Sequence, residues 1–219
     1  MASIETIAPL VARSAPSELL RRTQIIAVLR ARDAADYAPV IDVLLEHGVR
    51  SVELTLSTPG TFEHLPALVA GDAGEKEIGV GTITTVEEAQ RAIDAGAQYL
   101  VTPVLDAAII DFAVRAGVPI FPGGLTPTEL FAGWRAGATA VKIFPAQTVG
   151  PQFGTHLRGP FPDLEFVPSG GISLDDVPAW LEAGAVAVSL GGPLVGDALK
   201  GGSLAALAER VRRVVALVG

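Results

Sequence analysis

Short apolar runs alternate with amphipathic stretches of helix length along most of the chain. Eight runs are apolar almost throughout instead of alternating in polarity, which is typical of parallel strands covered on both faces. They are IIAVLR (25–30), SVELTL (51–56), EIGVGT (77–82), YLVT (99–102), PIFPG (119–123), AVKIFP (140–145), EFVPSG (165–170) and AVAVSLGG (185–192). Eight strands separated by helices predict an α/β fold, a (β/α)8 TIM barrel that forms one domain over residues 1–219.

A turn of the form small–Gly–small recurs where the predicted helices end, as in Ala95-Gly96-Ala97. Glycine just past a helix supplies the left-handed conformation from which the chain enters the next strand. Thr84 and Thr126 open two of the helices, and each is followed three residues later by a glutamate. This spacing predicts capping boxes with Glu87 and Glu129.

The first residues and the rival fold can be judged from short motifs. Residues 1–22 contain Glu5, Glu18 and two prolines, which does not fit a signal peptide, so we expect a short N-terminal helical lead-in to the barrel. A doubly wound open sheet is the alternative fold. It commonly has about five or six strands, and no GxGxxG motif opens the first helix here.

Composition narrows the range of partners. The formal net charge is -8, from 24 acidic and 16 basic residues, which argues against binding to nucleic acid. No apolar run is long enough to span a membrane, and there is no cysteine for a disulfide or a thiolate site. We therefore expect a cytoplasmic protein with no membrane partner. The hydrophobic content of 49% leaves apolar surface for subunit contacts and favours a homo-oligomer.

Active sites of such barrels lie at the C-terminal ends of the strands, and polar residues collect there in this sequence. Lys142 lies between two apolar residues of the sixth predicted strand, where burial favours the neutral, nucleophilic amine. Arg30 ends the first strand, and Glu53 lies in the second. Together they would suit an anionic carbonyl substrate, with an amine nucleophile, a proton carrier and a carboxylate clamp. Taken singly, Lys142 could extend outward to solvent, and Glu53 could be a structural partner of Arg30.

Glycine pairs follow the last two predicted strands, in Ser169-Gly170-Gly171 and in Gly191-Gly192. Backbone amides at these strand ends commonly bind phosphate in this fold, although tight turns alone would also explain the glycines. The three histidines lie in helical or loop stretches without ligand spacing, so we expect no metal site.

Nine segments resemble the 2-keto-3-deoxy-6-phosphogluconate (KDPG) and 4-hydroxy-2-oxoglutarate (KHG) aldolase family. They are IIAVLR, VELTL, VGTITT, VTPVLD, PGGLTPTE, VKIFPA, GPQF, GPFPDLEFVPSGGI and SLGG, in order from about residue 25 to the end. The resemblance implies a class I aldolase that splits a 2-keto-3-deoxy sugar acid into pyruvate and an aldehyde. It also implies a homotrimer, an absence of metal or organic cofactors, and a place in carbohydrate breakdown by the Entner–Doudoroff route.

The resemblance also implies roles for single residues. Lys142 matches the Schiff-base lysine and Glu53 the general acid/base of the family. The positions that line the pyruvyl part of the pocket are matched by Arg30, Thr82, Pro103 and Phe144. The loops at the phosphate end are matched by Ser169, Gly170, Gly171, Gly191 and Gly192.

Two positions depart from the family pattern. Ser57 stands where some members carry an arginine, and Pro193 stands where some carry a serine that contacts phosphate. Because proline has no hydroxyl and no amide hydrogen, we expect a smaller preference for the phosphorylated substrate than in serine-bearing members.

The sequence leaves several functions open. KDPG is the expected substrate, with the C4 epimer 2-keto-3-deoxy-6-phosphogalactonate and KHG as alternatives. Other phosphate-binding barrels, such as sugar-phosphate epimerases, share the glycine pairs but have no use for the lysine. A catalytically idle barrel that serves as an assembly subunit is the alternative of another class, suggested by the hydropathy and by Trp134 and Trp180, which we expect to be exposed.

Overall fold

A computed structural model describes residues 13–71 and 74–218. Its parallel strands and the helices between them follow the order expected for a barrel. The strands are β1 (Ile25–Leu29), β2 (Ser51–Thr55), β3 (Glu77–Gly81), β4 (Leu100–Val101), β5 (Ile120–Phe121), β6 (Gly123–Gly124), β7 (Val141–Ile143), β8 (Phe166–Pro168) and β9 (Val188–Leu190). The helices are α1 (Glu18–Thr23), α2 (Tyr37–Glu46), α3 (Thr61–Val69), α4 (Val86–Asp94), α5 (Ala107–Arg115), α6 (Pro127–Arg135), α7 (Pro151–Arg158), α8 (Val177–Glu182), α9 (Gly192–Val195) and α10 (Leu204–Ala216).

The eight predicted strands are all present, and the fifth is divided. One parallel sheet has the order β5-β4-β3-β2-β1-β9, and a second has the order β6-β7-β8. Pro122 separates β5 from β6 because it has no amide hydrogen for the ladder. The two sheets are joined across Pro122 at one edge and by a bridge between Ser169 and Ser189 at the other. The strands therefore follow one another around a closed barrel.

Two apolar layers hold the barrel together. The larger layer lies between the strands and the surrounding helices, and it includes the buried Tyr37 and Trp180. The smaller layer joins side chains from strands on different sides of the barrel, including Ile26, Tyr99 and Val167, with Leu20 from α1 beside them. This second cluster fills the barrel interior, and α1 contributes to closing its N-terminal end.

Tyr99 shows how tightly that interior is packed. Its ring meets the ring of Phe121 edge to face, with centroids 5.6 Å apart. A side chain at Gly79 would overlap the same ring, since an added Cβ would lie 2.3 Å from it. Burial, together with the negative charges of Glu77 and Glu53, raises the pKa of the Tyr99 phenol well above its usual value, so the phenol stays neutral.

The turns and caps agree with the sequence patterns except at one position. The glycine after each recurring helix end has a positive φ, as at Gly96 (97°) and Gly137 (101°). The capping box predicted for Thr126 and Glu129 is present. The box predicted for Thr84 is wrong, because Thr85 caps α4 and pairs with Glu88, one residue further along. The helix begins at Val86, one residue later than the predicted box requires.

Other expectations concern the molecular surface and the first residues. The prediction that Trp180 is exposed is wrong, since this residue of α8 is 2% exposed. Trp134 is partly buried, and the guanidinium of Arg13 lies 3.3 Å from its ring centroid. Of the predicted lead-in, residues 1–12 lie outside the described residues, and the rest contains α1. None of the described helices combines the length and the apolar character that crossing a membrane requires.

Candidate active site

A cavity of about 500 Å³ opens at the C-terminal ends of the strands. Every residue that the sequence assigned to the site lines this cavity except Gly171. The lining residues used below are Arg30, Arg32, Glu53, Thr82, Pro103, Lys142, Phe144, Ser169, Gly170, Gly191, Gly192 and Lys200. Side chains that lie far apart in the sequence therefore meet in one place, as the barrel geometry requires.

Lys142 points into this cavity from β7. On one side its backbone amide donates a hydrogen bond to the carbonyl of Pro122 at 2.8 Å, and on the other side it pairs with Val167 of β8. The residue is 8% exposed, so it does not extend outward to solvent as one alternative had it. Its Nζ lies 5.1 Å from the centroid of the Phe144 ring. The amine is thus held in a largely dry position with one face toward the cavity.

Glu53 is the partner of this lysine. Its Oε1 lies 3.9 Å from Lys142 Nζ, and the residue is 2% exposed. The alternative pair between Glu53 and Arg30 does not form, because Arg30 is exposed at the rim of the cavity. Gly81 of the adjacent strand makes room for the carboxylate, since an added Cβ there would lie 1.9 Å from Oε1. An ammonium and a carboxylate at this distance can exchange a proton through a ligand or a water.

Thr82 enters the cavity in a strained conformation. It follows Gly81 directly, and its φ of 65° is in the left-handed region, which β-branched residues rarely adopt. Within the described residues its hydroxyl forms no hydrogen bond, whereas the nearby Thr55 hydroxyl donates to the Leu29 carbonyl at 3.1 Å. Strain at a residue whose polar group faces a cavity is a common property of binding sites.

Ser57, where some family members carry an arginine, lies outside the cavity. Ser57 is exposed, does not line the cavity, and its hydroxyl donates to Thr55 Oγ1 at 3.1 Å. Of the cations that line the cavity, Arg32 is the nearest to Ser57 in sequence, and it lies two residues after Arg30.

The glycine-rich end of the cavity offers backbone donors. Gly170 and Gly171 have φ values of 93° and 76°, and within the described chain their amide groups donate to no protein acceptor. The Ser169 hydroxyl is 3.2 Å from that of Ser189, so it is already engaged. Gly171 is exposed and lies outside the cavity lining, and the side chain of Gln147 occupies the space where its Cβ would be.

Two further cations line this cavity and were not predicted from the sequence. Arg32 follows β1 in a short loop, and Lys200 ends a single 3₁₀ turn, Ala198–Lys200, well beyond β9. Neither residue lies on a strand. A search limited to the C-terminal ends of the strands therefore does not identify them. Only the recurrence of arginine in LRAR, just after the first strand, could have indicated Arg32.

The acidic and histidine residues that the structure describes form no metal-binding group. No cluster of three or more His, Cys, Asp or Glu side chains occurs within residues 13–71 and 74–218. His64 and His156 lie on α3 and α7, outside the cavity.

Comparison with known proteins identifies relatives for most of the chain. A family model described as KDPG and KHG aldolase matches residues 17–209. The 2-dehydro-3-deoxy-phosphogluconate aldolase of Treponema pallidum (strain Nichols) is 34% identical over 73% of this chain and 76% of its own length. The 2-dehydro-3-deoxy-6-phosphogalactonate aldolase of Escherichia coli (strain K12) is 32% identical over 78% of this chain and 83% of its own.

A solved structure adds a chemical detail. KDPG aldolase from Legionella pneumophila, with pyruvate captured at low pH as a covalent carbinolamine intermediate, superposes with a TM-score of 0.80. That structure is 25% identical to this chain and covers 90% of it, with 96% of its own chain matched.

The strain at Thr82 predicts a measurable gain in stability. Thr82→Gly removes the Cβ that disfavours the left-handed conformation, whereas Thr82→Ala keeps it. We expect the glycine variant to have a free energy of unfolding about 1 kcal/mol above that of the alanine variant. Denaturant unfolding of the two variants measures the difference. A glycine variant no more stable than the alanine variant would show that the backbone at this position is unstrained.

Proposed function

This chain belongs to the KDPG and KHG aldolase family, and we propose that it cleaves KDPG to pyruvate and glyceraldehyde 3-phosphate through a Schiff base on Lys142. One observation carries the assignment of Lys142. Its Nζ lies 3.9 Å from the Glu53 carboxylate, inside a cavity large enough for a six-carbon acid. An amine that must form an imine needs a proton carrier at this range, since a water molecule is lost in the reaction.

The first half of the reaction builds the imine. Glu53 first takes a proton from Lys142, and the neutral amine then attacks C2 of the 2-oxo acid. A second proton passes from the nitrogen to the former carbonyl oxygen as the carbinolamine forms. Glu53, now protonated, gives its proton to the departing hydroxyl, and water leaves. Arg30 binds the substrate carboxylate, and Thr82, Pro103 and Phe144 enclose the pyruvyl carbons.

The second half breaks the C3–C4 bond. The protonated imine withdraws electrons, while the Glu53 carboxylate takes the proton of the C4 hydroxyl. The bond breaks to give the aldehyde and an enamine that remains on Lys142. Protonation of the enamine at C3, again by Glu53, and hydrolysis of the imine release pyruvate and restore the amine. One carboxylate serves each step because it lies beside the amine throughout.

The phosphate of the substrate extends toward the glycine pairs. Ser169, Gly170, Gly171, Gly191 and Gly192 form this end in our proposal. The free amides of Gly170 and Gly171 support it, since backbone N–H groups in left-handed turns are suited to anions. Phosphorylated sugar acids are retained inside cells, so we place the enzyme in the cytoplasm.

The C4 epimer is the second candidate substrate. The E. coli relative is named for the galactonate compound, and its identity to this chain is close to that of the T. pallidum relative named for the gluconate compound. KHG, which has a carboxylate in place of the phosphorylated carbons, is the third. The kcat/KM values for the three compounds decide between them.

Lys142 is tested by trapping. Incubation with pyruvate and borohydride should fix a pyruvyl adduct on Lys142, which peptide mapping can distinguish from Lys76 and Lys200, the other two lysines of the chain. Lys142→Met should abolish both the adduct and cleavage, because no other residue supplies the imine. Lys76→Met is the matched control and should react normally, because Lys76 directly precedes the N-terminal end of β3 and does not line the cavity. Cleavage by Lys142→Met above a small fraction of the wild-type rate would remove the Schiff-base assignment.

Glu53 is tested by proton exchange. Glu53→Gln keeps the size of the side chain but cannot carry a proton, so exchange of the C3 hydrogens of pyruvate in deuterium oxide should slow by about a hundredfold or more. Binding of pyruvate should change much less. NMR follows the exchange directly. If exchange in the variant equals that of the wild type, Glu53 is a structural carboxylate and another group moves the proton.

The assembly we propose is a homotrimer. The positive mean hydropathy of +0.45 supports subunit contacts, as does a surface hollow where the rings of Phe131 and Phe161 stack 4.4 Å apart. Sedimentation equilibrium at micromolar concentration should give three times the 22.5 kDa chain mass. A mass that corresponds to one chain would exclude an oligomer at this concentration.

A further inference from the structure

The mouth of the cavity is positive on a molecule that is negative overall. Arg30, Arg32 and Lys200 all line it, and within the described residues none of the three forms an ion pair or a side-chain hydrogen bond. Among the described residues that line it, Glu53 is the one acid, and it faces Lys142. With a formal charge of -8 on the chain, unpaired cations gathered at one cavity favour an anionic ligand there.

Lys200 is presented to the cavity by a well-anchored loop. The preceding Leu199 is buried, and the Lys200 amide donates to the Asp197 carbonyl at 2.8 Å. Arg210 from α10 fixes the start of the loop, with Nε 2.6 Å from the Leu194 carbonyl and Nη2 2.8 Å from that of Val195. The position of Lys200 is therefore set by the fold, while its ammonium group remains free.

The nearest acid in sequence does not neutralise this lysine. The carboxylate of Asp197 lies against the backbone of Gly202, where an added Cβ would be 2.1 Å from Cγ. Asp197 is exposed, does not line the cavity, and is not within ion-pair distance of Lys200. The positive charge of Lys200 is thus available to a ligand.

The location of Lys200 indicates which end of the ligand it meets. β9 pairs with β1, with Leu190 opposite Ala27, so the turn at Gly191 and Gly192 lies beside the end of β1. Lys200 lines the cavity together with this turn and with Val195 and Gly196. Pro193 in the same turn supplies neither an amide hydrogen nor a hydroxyl, and the Ser169 hydroxyl is engaged with Ser189. Among the described residues, this end of the cavity therefore offers backbone amides from its glycines, few side-chain hydroxyls, and the cation of Lys200.

We propose that Lys200 is a specificity-determining residue that binds the distal phosphate of the substrate. The inference rests on the proposed function, in which Lys142 holds the opposite, pyruvyl end. An ammonium group binds phosphate as a point charge, without demanding the directed geometry that a hydroxyl or a bidentate arginine would. Selectivity for the phosphorylated compound in this chain then depends on charge and is sensitive to salt.

Three variants and three compounds test the proposal. Lys200→Met removes the charge and keeps most of the stem, Lys200→Arg keeps the charge, and Lys76→Met is a lysine control remote from the cavity. Each is assayed with KDPG, with its dephosphorylated form, and with pyruvate plus borohydride. We expect Lys200→Met to lower kcat/KM for KDPG by about ten- to a hundredfold, mainly through KM, as for loss of a hydrogen bond to a charged group. Cleavage of the dephosphorylated acid and trapping of pyruvate should change by less than about twofold.

Two further measurements test whether binding of the phosphate depends on the charge of Lys200. Lys200→Arg should retain most of the preference for KDPG, and raising the ionic strength should increase KM for KDPG in the wild type more steeply than in Lys200→Met. If Lys200→Met alters phosphorylated and dephosphorylated compounds equally, or alters neither, Lys200 does not bind the phosphate. If the wild type neither traps pyruvate nor cleaves any of the compounds, the proposed function itself fails, which is a distinguishable result.

Discussion

An amine and a carboxylate share the interior of the barrel, with Lys142 Nζ and Glu53 Oε1 3.9 Å apart and both side chains nearly inaccessible to water. Removing two such groups from water is costly, and their mutual attraction offsets the cost only when the surroundings hold them in place. Much of the local structure serves this requirement. Strand β7 fixes the lysine between two backbone partners, and Gly81 leaves the space that the carboxylate occupies.

The strands were predictable because their burial on both faces produces continuous apolar runs. The predicted runs nevertheless extend beyond the observed strands, as at Arg30 and Thr82. At those residues the chain leaves the ladder and turns toward the cavity. Their polar side chains line the cavity. The division of the fifth strand at Pro122 was not predicted, although proline cannot donate to a ladder.

Other features depended on tertiary packing and could not be read from local patterns. Trp180 is buried because α8 packs its ring against the barrel, although the surrounding residues do not distinguish a buried face from an exposed one. The shift of the capping box from Thr84 to Thr85 reflects two adjacent threonines, each with a glutamate three residues ahead. Lys200 reaches the cavity through a loop whose path is set by Arg210, a residue of the last helix. The chemistry at the strand ends was therefore predictable, and the chemistry contributed by loops was not.

Because Gly81 lies so close to the Glu53 carboxylate, the substitutions that each position tolerates depend on the other. Any side chain at position 81 would occupy the space of the carboxylate, so the two sites cannot diverge independently while the acid is retained. A descendant of this barrel that gave up the acid at position 53 would at once be free to place a new side chain at position 81, pointing into the same chamber. Substitution at position 81 therefore has to follow, and cannot precede, the loss of the carboxylate at position 53.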